Sequence, residues 1–115
     1  MEPAKMQIFT ETNAMPAERR KDYRMNIQMP ITMTGINPQT LEQFETKGVT
    51  ENVSRYGACF EIRRGLVRVG SIIGLSQGSK FDAQCRVVWT KDGGNGSDLV
   101  GVELISITGQ WVISN

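Results

Sequence analysis

From Met25 onward the chain alternates hydrophobic and polar residues with a period of two, and glycine, asparagine and proline interrupt the alternation at intervals. In "MNIQMPITMT", Ile27, Met29, Ile31 and Met33 fall on one side, and Gln28, Pro30, Thr32 and Thr34 on the other. That is the pattern of a strand with one buried face, since successive side chains point to opposite faces. Pro30 has no N–H for a ladder, so its position belongs on an edge or at a bulge. "TGINPQ" predicts a loop. A second strand is predicted over residues 46–53, with Val49 and Val53 on one side and Thr50 and Asn52 on the other. "GACFEIRR" predicts a third, with Ala58, Phe60 and Ile62 inward. "VRVGSIIGLS" predicts a fourth, in which Val67, Val69, Ile73 and Leu75 share a face. "KFDAQCRVVWTK" predicts a fifth, with Phe81, Ala83, Cys85, Val87 and Trp89 inward, and "LVGVELIS" a sixth, with Val100, Val102 and Leu104 inward. The glycine-rich "KDGGNGSD" between them reads as a hairpin turn. "TGQWVISN" is too short to assign, and Trp111 is expected to pack on the barrel or to begin a helix. Short strands with turn signals every ~8–12 residues, and no amphipathic helix, predict an all-β domain, a small barrel or sandwich.

Composition narrows the class. A chain of 115 residues, 39% hydrophobic and 22% charged, fits one globular domain that buries its own core without metal or disulfide staples. No apolar run approaches the ~20 residues of a membrane-spanning helix, and residues 1–14 lack the apolar block of a secretory signal. The expected setting is the cytoplasm, without membrane insertion, and Cys59 and Cys85 are then expected as buried, reduced thiols. The absence of histidine removes the commonest acid/base group near neutral pH and a principal metal ligand. No nucleophile–base pair, metal set or phosphate-cradling loop is evident, so no catalytic residue, metal or cofactor is expected. A net charge of +1 and an aromatic content of 7% argue against nucleic acid as the partner, since such sites combine basic surface with exposed aromatics.

Positive charge is nevertheless clustered. Arg19, Arg20, Lys21 and Arg24 precede the first strand, in a segment without strong helical or strand pattern. Arg20 and Arg24, four apart, can present two guanidinium forks to phosphate oxygens or to a guanine edge; alternatively they form a solvated basic stretch. Arg63, Arg64 and Arg68 flank a turn and read as a solvated loop. The second cluster is "NVSRYG". In an extended chain Asn52 and Ser54 share a face and point outward, offering an amide and a hydroxyl, while Gly57 permits a tight turn or a close approach. The alternative is a local turn in which Asn and Ser cap backbone groups.

Together and in this order the two clusters resemble the signatures of the PilZ domain family, Arg-x-x-x-Arg and Asp/Asn-x-Ser-x-x-Gly, read here as "RKDYR" at 20–24 and "NVSRYG" at 52–57. The later "RVVW" and "GVELI" segments are similar to the family as well. The resemblance covers residues 18–107, with 1–17 as a tail and 108–115 as a C-terminal extension. It implies an all-β, six-stranded antiparallel β-barrel of split-barrel type with a flexible N-terminal arm, and a non-enzymatic receptor for the bacterial second messenger cyclic di-GMP. Arg20 and Arg24 would hold guanine and phosphate, Asn52 and Ser54 a guanine edge, and Gly57 would keep the turn open. From its place inside the second cluster, Arg55 is expected as a secondary ligand contact. Arg19 is placed to stack on a base or take a further phosphate, which favours two stacked ligands. Asn52 brings no carboxylate to the guanine donors, which lowers affinity relative to an aspartate. Ligand binding is expected to order residues 15–25 and to pass a signal to a protein partner. The competing reading is an adaptor with the same barrel, a protein partner and little nucleotide affinity.

Overall fold

The computed structural model describes residues 24–113. Its elements are β1 (Pro30–Ile36), β2 (Gln43–Val53), β3 (Gly57–Arg63), β4 (Ile72–Gln77), β5 (Phe81–Gly94) and β6 (Ser97–Gly109). All neighbours run antiparallel and the sheet closes on itself in the order β1-β2-β3-β6-β5-β4. Among the described residues there is no helix, and hence none long and apolar enough to cross a membrane.

The inward faces follow the alternation for most of the chain. Ile31 and Met33 of β1, Ala58, Phe60 and Ile62 of β3, Ile73 and Leu75 of β4, Phe81, Ala83, Cys85 and Val87 of β5, and Val100 and Val102 of β6 are buried in one core. Pro30 is the first residue of β1 and its outward side is solvated, which spares a ladder bond it could not make. Asn95 and Gly96 form the β5–β6 turn with φ of 54° and 79°. Two consecutive positive φ values match the right-handed twist of a hairpin. Cys59 and Cys85 are both free and buried. Burial pushes the Cys85 thiol up to about 12 and raises Cys59 as well, the latter offset in part by the Arg24 charge.

Four expectations are corrected. β2 begins at Gln43, and Val49 is 50% exposed while Thr50 is buried. A bulge between Thr50 and Asn52 puts one extra residue, Glu51, opposite β3. Thr50 and Val53 therefore both face the core, and a period-two count from Val53 assigns Val49 the wrong face. Burial costs the Thr50 hydroxyl nothing in unmet bonds: it donates to the Ile27 carbonyl (2.6 Å) and accepts from the Met29 N–H (2.9 Å). Val69 is 61% exposed, because the chain turns at Gly70 (φ 95°) and β4 starts only at Ile72. Trp89 lies on the outer face. A second bulge, at Val88, shifts the register so that Trp89 pairs with Gly101 rather than with an inward residue. The indole covers Gly101 so closely that a Cβ there would sit 2.2 Å from the ring. Finally, Ser54 does not point outward with Asn52. It is buried.

Candidate functional site

Met25 forms an antiparallel bridge with Val53, its N–H donating to the Val53 carbonyl (2.8 Å) and its carbonyl accepting from the Val53 N–H (2.9 Å). This stitch lays the segment before β1 along the end of β2. It brings Arg24 over the outer face, where its Nη1 donates to Oδ1 of Asn52 at 3.1 Å. Arg24 and Asn52 belong to the two separate sequence clusters, 28 residues apart.

Beyond Asn52 the chain turns into β3 through Ser54, Arg55 and Tyr56. The Ser54 N–H donates to the Gly57 carbonyl (2.9 Å), and the Ser54 hydroxyl accepts from the Tyr56 N–H (3.3 Å). The hydroxyl therefore serves the turn, while its proton is still free to donate. The Ser54 carbonyl accepts from Nε1 of Trp111 (2.8 Å), whose ring stands edge-on to Phe81. Gly57 has an extended backbone; its role is proximity. A Cβ there would lie 2.1 Å from the Val102 carbonyl of β6, so any side chain would push β3 off its neighbour.

Arg24, Ser54, Tyr56 and Gly57 line one cavity of about 200 Å³ together with Val88 and Glu103. The larger cavity, about 740 Å³, is at the far end of β2 and contains none of these residues. The smaller one falls below the ~300–1,000 Å³ of a pocket for a drug-sized ligand, so it takes part of such a ligand and leaves the rest on the open wall. The ladder registers that wall as a row across four strands: Asn52, Cys59, Gly101 and Trp89. Glu103 is paired with Arg86 of β5 at 2.6 Å, which leaves Arg24 as the cation lining the cavity among the described residues.

The structure thus brings together Arg24, Asn52, Ser54 and Gly57. Arg55 is exposed, stacks over the Tyr56 ring at 5.6 Å and donates to its hydroxyl, and does not line the cavity. Arg19 and Arg20 lie outside the described residues, as does most of the segment 15–25 expected to order on binding. Arg64 is engaged in ion pairs with Asp92 and Asp98 of the β5–β6 hairpin. Tyr56, Val88, Trp89 and Trp111 were not read as site residues from sequence. Tyr56 could have been, since it sits between Ser54 and Gly57; the others depend on a bulge and a chain end that periodicity does not register. Among the described residues no group of His, Cys, Asp or Glu side chains converges as metal ligands.

Arg24 is thus stitched beside an Asn-x-Ser-x-x-Gly corner on a small closed β-barrel. The family model for the PilZ domain matches residues 18–110, and the chain belongs to that family. PilZ domains are generally non-catalytic receptor or adaptor domains. Among solved structures the chain is similar to the Bacillus subtilis inhibitor of motility, MotI/DgrA, with a TM-score of 0.56 at 14% identity. The match covers 80% of this chain and 45% of that one, so this chain corresponds to under half of that protein, and the likeness is one of fold. No curated protein matches the sequence.

Proposed function

We propose that this protein is a non-enzymatic cytoplasmic receptor for cyclic di-GMP that relays occupancy to a protein partner. The observation that carries the reading is the Arg24–Asn52 hydrogen bond beside a cavity lined by Ser54 and Gly57. It joins Arg24 of the first cluster to Asn52 of the second. In this reading Arg24, with Arg20 and Arg19 from the arm, supplies guanidinium forks to the two phosphates and a guanine edge. Ligand binding displaces the Arg24–Asn52 bond and frees both groups for the ligand. Asn52 and the Ser54 hydroxyl meet a base edge, with Asn52 bringing no charge. Calorimetric titration with cyclic di-GMP tests it, and its stoichiometry distinguishes one ligand from two. Arg24→Ala should weaken binding at least about tenfold, the scale of a lost charge-assisted contact. Absence of saturable heat with the unmodified chain overturns the reading.

One observation favours the second reading, an adaptor with weak or no nucleotide binding. Ser54 and Gly57 each have a structural reason to be where they are, the turn and the Val102 carbonyl. A protein partner retained equally with and without nucleotide would support it.

A further inference from the structure

The barrel closes through a short ladder. β1 and β4 register only at Thr32↔Ser76, Met33↔Leu75 and Thr34↔Gly74. Beyond Thr34 the ladder ends, and Gly35 and Ile36 are not registered with Ile73 and Ile72. The larger cavity, about 740 Å³, opens there, between the β1–β2 hairpin and the β4–β5 wall. At its edge Gly35 leaves room for the Phe44 ring and Gly74 for the Thr34 hydroxyl, which a Cβ would meet at 2.9 Å and 2.5 Å. Ile36, Phe44 and Ile72 give it apolar sides, with Ile36 56% and Ile72 48% exposed. Two carboxylates, Glu45 and Asp82, stand in its lining, which among the described residues holds no lysine or arginine. Apolar walls with acidic lips and an interrupted ladder select an occupant: an extended segment with aliphatic side chains to bury and cations to place against the carboxylates.

We propose that this open end of the β1–β4 seam docks an extended segment of a partner protein in which aliphatic residues alternate with lysine or arginine. Alternation suits the groove because an extended chain sends successive side chains to opposite sides, so one set packs inward on Phe44 and Ile73 while the other, on the outer face with Ile36 and Ile72, reaches Glu45 and Asp82. β2 carries Glu45 near one end and Asn52 near the other, so the groove is separate from the nucleotide corner and its occupancy is measurable without nucleotide.

The test is an NMR titration of the full chain with a peptide of alternating valine and lysine, and with its valine–glutamate counterpart. The valine–lysine peptide should shift the amides of Gly35, Ile36, Phe44, Ile73 and Gly74, and the valine–glutamate peptide should not. The double variant Glu45→Lys/Asp82→Lys changes only exposed side chains and should lose at least about tenfold in affinity for the valine–lysine peptide through like-charge contact. It should in turn bind the valine–glutamate peptide. No shift, shifts centred on another face, or indifference to the charge reversal would overturn the proposal. So would concentration-dependent shifts of the same amides without peptide, which would assign the groove to a second copy of the chain.

Discussion

At Gly57 and Cys85 single atoms decide what substitution can report. A methyl group on Gly57 would collide with the Val102 carbonyl, and backbone cannot step aside as a flexible side chain can. Lost nucleotide binding in a Gly57 variant would therefore report a displaced β3 before it reported a lost ligand contact. Arg24 is the cleaner probe because it is exposed and its described partner is one side chain. Cys85 is fully buried, and its thiol is raised from 9.0 to about 12 by desolvation alone. The unfolded thiol gives up its proton near pH 9.0 while the native thiol keeps it to about 12. Between those values the unfolded state holds fewer protons, so stability is undiminished by this group below pH 9.0 and falls as pH rises. The expected slope is about 1.4 kcal/mol per pH unit. Urea unfolding of the native chain and of Cys85→Ala across that window should show this component of the slope in the first and not in the second. Equal slopes would refute the assignment. The alanine cavity lowers stability at every pH and does not imitate a slope.

At the scale of elements, the strands that read clearly from sequence are those whose alternation runs unbroken. β1 and β3 keep one phase throughout, and the apolar stripe of each lies in the core. β2 and β5 change phase at a bulge. One extra residue is invisible to a period-two count but moves Val49, Thr50 and Trp89 to the opposite face. The first half of β2 is also hard to see because its inward positions include Thr46 and Gly48, with the Met33 side chain filling the space beside Gly48. The candidate site was legible as two clusters because guanidinium forks and an Asn-Ser-Gly turn are distinctive in type and spacing. Their meeting depends on the Met25–Val53 stitch, a pairing outside any strand that no local pattern encodes. The C-terminal segment is the other hidden element. Trp111 reaches back to donate to the Ser54 carbonyl, tying the end of the chain to the turn of the candidate site. Trp111→Phe keeps a ring against Phe81 but removes the donor, leaving a buried carbonyl without that partner. Destabilisation of about 1–3 kcal/mol is expected, together with faster amide exchange at Ser54 and Tyr56. Unchanged exchange at that turn would mean the indole only fills space.

The molecule as a whole is a ring whose links are unequal. β5 and β6 pair from Phe81↔Gly109 to Gly94↔Ser97, whereas β1 and β4 meet over three residues. Closure of the ring depends on the short link. It joins strands distant in sequence, whereas the long link is a hairpin closed by a two-residue turn, and long-range pairing carries the larger loop-closure cost. Free energies of local opening should follow the same order, since openings range from near zero at weakly held edges up to the global value in the best-held strands. Native-state hydrogen exchange should therefore find the amides of Thr32–Thr34 and Gly74–Ser76 opening at lower free energy than those of Val87–Lys91 and Leu99–Val102. The barrel would then open at the β1–β4 seam without losing the β3–β6–β5 wall to which Gly57 and Trp89 belong. Cyclic di-GMP bound at the Arg24 corner should raise the opening free energy of that wall and leave the seam amides nearly unchanged, because the seam can part without releasing ligand. Uniform protection around the ring, or a seam that tightens with the wall, would mean the barrel opens only as one unit. Segregated protection would place ligand response and seam opening in separable parts of one fold.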